Sequence, residues 1–322
     1  MNKTQLQEAV LQAIKDRVPN KTTLVNLLVD LLCIEKEAVY RRLRGEVSFT
    51  FVEIALIANE LGISLDNIIS SSLSSKSKPF QLKVVNYYDP TEVDYAMMNE
   101  YLHILIAGRN DPNSELFDCT NTIPPSFYGG YKYIERLHLL KSLYESGQTN
   151  KIKRFEEVKY SPRAEKFVRD HIKETKKIKN SYFIFDPLVF QYLINDIFYF
   201  RGINLITEED VEHLKEEFLQ LLRDMEILAA TGIDKDSGQK VYMYIASINF
   251  EVSFWYVSIN NYHISMLKVF VLNNFSSLDE DSFQIIKTRI NAVLRSSTMI
   301  SVSGERQRRL FFEKQREIIN TL

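Results

Sequence analysis

Residues 22–69 read TTLVNLLVDLLCIEKEAVYRRLRGEVSFTFVEIALIANELGISLDNII, and this stretch decides the fold at the N-terminal end. Leu24, Leu27, Leu28, Leu31 and Leu32 recur at helical spacing behind Thr22 or Thr23, either of which can cap a helix. The pattern breaks at Cys33-Ile34. A second helix starts near Glu35 and runs to about Arg44, where Gly45 is a natural stop. Thr50 and Glu53 have capping-box spacing, and Phe49 with Ile54 fits a hydrophobic staple. The helix they open carries Ile54, Ile57, Ala58 and Leu61 and ends at Gly62; Ser64 can cap a last short helix, Leu65–Ile69. Upstream, Leu6, Val10, Leu11 and Ile14 form one apolar face within residues 4–17, ended by Pro19-Asn20.

Working outward, SSSLSSKSKP at 70–79 offers little to bury and reads as a linker. It divides the chain into a domain at 1–69 and a second at 80–322. In the second, helices are expected from Thr91 to about Ala107, over Tyr131–Glu145 with Ile134, Leu137, Leu140 and Tyr144 as the buried stripe, and at about 187–200 and 207–230. Short strands are expected at Glu115–Thr122 and Tyr182–Phe185. Val241–Asn249, Val252–Asn260 and His263–Asn273 read as an antiparallel three-strand meander. Ser277 and Glu280 have capping-box spacing for a helix to about Arg295. A final helix follows Ser303, and its Leu310, Phe311, Ile318 and Ile319 could pack on a partner. The fold class is therefore mainly α with a smaller β part (α+β).

Composition sets outer limits. With 45% hydrophobic and 25% charged residues in 322, the chain has ample material for cores. A net charge of −2 gives no global basic character, so any nucleic-acid contact must rest on local charge. Two distant cysteines, Cys33 and Cys119, point to a reducing, cytoplasmic setting. The amphipathic N-terminus is no signal peptide, and no apolar run is long enough to span a bilayer.

The helix after Cys33-Ile34 carries the chemistry. Val39 and Leu43, four residues apart, face inward, which leaves Lys36, Glu37, Tyr40, Arg41 and Arg44 outward. A B-DNA major groove admits an α-helix, and guanidinium forks bind guanine edges or phosphates. Backbone N–H groups at Thr22-Thr23 can face a phosphate. Arg42 either reaches the DNA backbone or pairs with Glu46 or Asp30.

The segment YRRLRGE…TFVEIALIANELGISLDNI, with its Leu43-Arg44-Gly45 ending and "LGISLD" close, resembles the Cro/repressor-like (XRE) helix-turn-helix family of transcriptional regulators over residues 20–69, or 4–69 with the first helix. The resemblance implies a five-helix, lambda-repressor-like DNA-binding domain acting as a homodimer on a palindromic operator. It implies that Lys36, Glu37, Tyr40, Arg41 and Arg44 sit where that family touches DNA. Two departures stand out: Cys33 occupies a turn position often held by glycine, and Glu35 and Glu37 open the helix where small polar residues are more usual.

Elsewhere the bland reading is preferred. The basic stretch 151–179 reads as a solvated surface rather than added phosphate contacts. Phe127–Tyr133 either lines a pocket or is a loop entering a helix with half-buried tyrosines. Val252–Ile259 and Val241–Ile248 are apolar on both sides, as in strands covered on both faces. His171/Glu174 and His213/Glu216 read as ordinary surface pairs, and Cys119 as a buried structural thiol. No catalytic, cofactor or metal motif is present. The expected function is a cytoplasmic DNA-binding regulator whose C-terminal domain dimerises or senses a small-molecule or protein effector. The alternatives are an interaction scaffold that keeps the fold without DNA, and an enzyme fused to the module, whose signature would be a pocket of converging polar residues in 80–322.

Overall fold

The computed structural model describes residues 3–63, 65, 68, 81–148, 150, 152, 154–260 and 262–322. The chain divides into two compact units, 1–79 and 80–322. The stretch 70–79 and most of the short helix expected at 65–69 lie outside the described residues.

In the first unit, α1 (Lys3–Arg17), α2 (Lys21–Leu32), α3 (Lys36–Leu43) and α4 (Phe51–Leu61) surround one apolar core. Val10, Ile14, Leu28, Val39, Leu43 and Ile57 meet there, each a position that helical spacing assigns to an inward face. The helix ends follow local chemistry. Asn20, rather than Thr22 or Thr23, caps α2 by accepting from the Thr23 N–H. Helix α3 closes in a Schellman turn: Gly45 sits at φ 78°, its N–H donates to the Arg42 carbonyl, and the Glu46 N–H donates to the Arg41 carbonyl. The Thr50/Glu53 capping box opens α4.

The second unit is built on an eight-stranded mixed sheet. Its strands are β1 (Gln81–Lys83), β2 (Glu115–Thr120), β3 (Asn180–Phe185), β4 (Lys240–Ile245), β5 (Phe254–Ile259), β6 (Tyr262–Lys268), β7 (Asn274–Ser277) and β8 (Thr298–Met299), in the spatial order β1-β7-β6-β5-β2-β3-β4-β8. β2, β3 and β4 are parallel; the other pairings are antiparallel. This corrects the expected three-strand meander. β4 does not pair with β5 but lies parallel and next to β3, with β2 and β3 between it and β5, and the meander is β5-β6-β7. The physical reason is the crossover. Helices α9 (Val189–Gly202) and α10 (Glu208–Thr231) separate β3 from β4, which leaves room for a parallel return that two adjacent strands joined by a tight turn would not have.

The sheet is covered on both faces by this chain's own helices. On one face, α7 (Lys132–Glu145), α9, α10 and α12 (Glu305–Ile319) pack against Phe183, Phe185, Val241 and Met243. Leu143 takes the buried place expected for Tyr144, which is exposed. Phe311, Phe312 and Ile319 are buried within the unit with Ile318 packed beside them, so of the four residues expected to meet a partner, Leu310 alone is exposed. On the other face, α11 (Glu280–Ser296) lays Phe283 and Ile290 over Tyr256, Phe117 and Ile184. Its N-cap is Asp279, accepting from the Ser282 N–H, rather than Ser277. Beneath it an aromatic ladder crosses four strands in register: Tyr256, Phe117, Tyr182 and Tyr242, with ring centroids 5.1, 3.9 and 4.6 Å apart. Such pairs each contribute about 0.5–1.5 kcal/mol beyond burial and resist a register slip.

Helices α5 (Glu92–Ala107) and α8 (Pro162–Thr175) complete the first face near β5, opened by the Thr91/Asp94 capping box and by Ser161 respectively. A short helix α6 (Pro125–Tyr128) precedes α7.

Candidate functional site

Helices α2 and α3 are joined by a three-residue turn, 33–35, in which Cys33 adopts the left-handed conformation at φ 52°. The turn holds α3 with Val39 and Leu43 fully inside and Lys36, Glu37, Arg41 and Arg44 exposed. Tyr40 is half-buried, with the Lys21 ammonium 5.6 Å from its ring centre. Thr22 and Thr23 are exposed in the first turn of α2, but Asn20 Oδ1 already takes the Thr23 N–H at 3.0 Å.

The arginines divide by partner. Arg42 turns inward: Nε donates to Glu53 Oε2 at 3.3 Å, Nη2 lies 3.0 Å from Glu53 Oε1, and Nη1 donates to the Ala38 carbonyl. Of the two readings of Arg42, the intramolecular one is realised, with a partner on α4 rather than Glu46 or Asp30. Arg44 bridges Glu46 at 2.6 Å and Glu37 at 3.1 Å, and Arg41 lies 3.7 Å from Glu46. These outer pairs are about half exposed, so they are weak and exchangeable. They also give Glu37 a structural use: it orients the Arg44 fork. Glu35 sits at the N-cap of α3 without a side-chain capping bond.

Within the basic stretch 151–179, Lys159, Lys166 and Lys173 are exposed, as a solvated surface requires, and several of the other cations are paired within the second unit. Arg163 pairs with Glu92, Arg169 with Glu135 and Lys176 with Asp234. His213 and Glu216 are an exposed pair, 3.9 Å apart. His171 and Glu174, three residues apart on α8, instead part company. Glu174 is buried and accepts two bonds from Arg109, 2.6 and 2.7 Å, which with Lys177 hold its carboxyl down at about 2. The imidazole of His171 faces a cavity, and the surface-pair reading of these two is thereby corrected.

That cavity, about 220 Å³, lies between the sheet and helices α5 and α8, at the seam of its antiparallel and parallel halves. Its floor is three rows of side chains set by strand register. The first is Leu116, Val257 and Ile264; the second Asp118, Trp255 and Met266. The third is polar: Thr120, Ser253 and Lys268, with Thr120 and Ser253 hydroxyls 3.3 Å apart. Asp118 Oδ1 has no hydrogen-bond partner; burial pushes its carboxyl up to about 7, with Lys268 pulling the other way. Lys268 Nζ donates to Thr122 Oγ1 at 2.7 Å, and burial draws its ammonium down to about 8. His171 Nδ1 is likewise without a partner, and burial lowers its pKa to about 4. Tyr128, from the Phe127–Tyr133 stretch, closes part of the wall.

Asp118 and Lys268 are the residues sequence reasoning missed, and His171 is one it placed on the surface. Asp118 and Lys268 are charged side chains in largely apolar strands, which is the available sign, whereas α8 is charged along its length and gives no such sign for His171. Their convergence depends on strand order: β2 and β6 lie either side of β5, although Asp118 and Lys268 are far apart along the chain.

Comparison with family models, with curated proteins and with solved structures finds no match to this chain. Among the described residues, no helix is long and apolar enough to cross a membrane.

Proposed function

We propose that the chain is a sequence-specific DNA-binding transcriptional regulator, with α3 as the helix that enters the major groove. The observation that carries this reading is the presentation of α3. A left-handed turn at Cys33 and a buried Val39/Leu43 seam leave Lys36, Arg41 and Arg44 together on the outer face. Guanidinium forks on an exposed helix of this width suit guanine edges and phosphates. Their acid partners, Glu46 and Glu37, are exposed, so exchange for phosphate costs little. Arg42 belongs to the scaffold in this reading.

One module with a few outward cations binds modestly, and joining two raises affinity through effective concentration. We therefore assign the working form as a homodimer on a palindromic operator. Phe51, Val52 and Leu56, exposed on α4, support a role for the first unit in pairing. The second unit supplies sensing through its cavity. A second reading, a protein-interaction module of the same shape, is favoured by the acids Glu37 and Glu46 that already engage Arg44 and Arg41. Selecting duplexes from a random pool with the full-length protein separates the two. Enrichment of a two-fold symmetric site supports the regulator; no enrichment of any sequence supports the interaction module.

A further inference from the structure

Opposite charges at one end of an apolar cavity define what fits there. Asp118 enters from β2 and Lys268 from the end of β6, and no direct ion pair joins them among the described residues. Lys268 donates to Thr122, and an ammonium carries three N–H donors, so it can give more. Asp118 Oδ1 has no protein donor. Away from this polar corner the sheet and α5 supply apolar walls, Leu116, Val257 and Ile264 on the sheet and Met98, Ile104 and Leu105 on α5, while α7 and α8 bring Glu135 and His171 to the lining.

Unpaired charges in such surroundings are costly to keep. A cationic ligand would satisfy Asp118 but meet Lys268 with like charge, and an anionic one would do the reverse. A ligand carrying both charged groups on one carbon satisfies both and adds no net charge to a site of low dielectric. We propose that this cavity binds a free α-amino acid with a large apolar side chain, its ammonium on Asp118, its carboxylate on Lys268, and its side chain between the sheet and α5. The volume suits this: an apolar cavity of about 150 Å³ holds benzene, and this one is about 220 Å³ with a polar end added. The place suits it too, beside the carboxyl end of β2 where parallel strands give way to antiparallel ones. The inference stands apart from DNA binding, and failure of either leaves the other intact.

Trp255 is the single tryptophan of the chain and lies in the floor beside Asp118, so its fluorescence reads the site directly. The experiment titrates the full-length protein with L-leucine, L-isoleucine and L-phenylalanine, then with phenylpropionate and phenethylamine, which lack the ammonium and the carboxylate. The expected result is a saturable Trp255 change with at least one amino acid, and binding at least about tenfold weaker for each truncated analogue. Asp118→Asn is expected to abolish the preference for phenylalanine over phenylpropionate, and Lys268→Met its preference over phenethylamine. No saturable response to any of the amino acids, or equal binding of the analogues, overturns the proposal. Both outcomes are read on the unsubstituted protein, so they do not depend on the variants folding.

Discussion

Arg42 on α3 and Glu53 on α4 form a doubly bonded ion pair, at 3.3 and 3.0 Å, that ties the third and fourth helices of the N-terminal module together. Glu53 also accepts the Thr50 N–H at 2.7 Å, so one carboxylate caps α4 and fastens α3 to it. Burial raises the Glu53 carboxyl, but Thr50 and Arg42 outweigh it and hold the pKa below the usual glutamate value. Both side chains are more than four-fifths buried. Removing one partner leaves the other with its charge unmatched. Arg42→Ala is expected to destabilise the first unit by about 1–3 kcal/mol, measured by urea denaturation. Because the folded pKa is depressed, this stabilisation is complete above the ordinary glutamate pKa and is lost as pH falls through the folded value. The difference between wild type and variant shrinks in acid.

Cys33 holds φ 52° at the C-cap of α2, a conformation that costs an L-residue about 1–2 kcal/mol. Its thiol makes a long contact, 3.7 Å, to the Asp30 carbonyl. Cys33→Gly is expected to leave the turn in place and raise the stability of the first unit by about 0.5–1 kcal/mol, after the extra chain entropy of glycine is counted. Cys33→Val is expected to lower it. Thermal melts followed by circular dichroism measure both.

The N-terminal module was legible in sequence because its determinants are local. The Thr50/Glu53 box, the Gly45 stop and the Val39/Leu43 spacing lie within one or two helical turns. The same holds for Thr91 and Thr207, where a capping side chain announces a helix; the Ser161 cap of α8, inside the basic stretch, was not read. Five strands of the sheet were legible, but not their order, and β1, β7 and β8 were not read at all. β4 and β5 carry the same two-sided apolar pattern, and nothing within either says whether its neighbour is β3, β6 or the other. The DNA-facing candidates could be named from spacing alone, yet the inward turn of Arg42 needed Glu53 on the next helix. The cavity was invisible for the same reason: Asp118 and Lys268 meet only once strand order is known.

Asp118 makes the cavity a source of instability in the unliganded protein. Its carboxyl is raised to about 7 by burial. A raised acid contributes stability that is fully present below the ordinary aspartate pKa and is lost as pH rises through the folded pKa. The second unit is therefore expected to lose stability as pH climbs from the ordinary aspartate pKa to about 7, and to level off above it. Asp118→Asn removes that loss and is expected to be more stable than wild type by about 1–2 kcal/mol on the alkaline side, with little difference in acid. Calorimetric melts across pH measure it.

Ligand affinity is expected to follow both charges. Asp118 must be ionised and Lys268 protonated, so affinity peaks between about 7 and about 8 and falls on either side. The groups facing them are few. Lys141 and Glu145 of α7 act on Lys268 with opposite signs. Among the other lining groups, burial keeps the His171 imidazole neutral in this range, the Tyr87, Tyr128 and Tyr160 phenols are raised well above it, and Glu135 is paired with Arg169. Trp255 fluorescence titrations at several pH values test the profile.

The most direct measurement of the central claim is the affinity of the full-length protein for its selected duplex, across salt concentrations, beside the Arg41→Ala/Arg44→Ala variant. Each arginine that reads a base is worth about 1–3 kcal/mol, and removing an arginine from a phosphate lowers the salt slope by about one. If α3 reads DNA through these arginines, the variant binds at least about tenfold more weakly with a shallower slope and an unchanged melting profile. Equal affinity and an equal slope in both proteins would contradict this reading and remove α3 from the DNA interface.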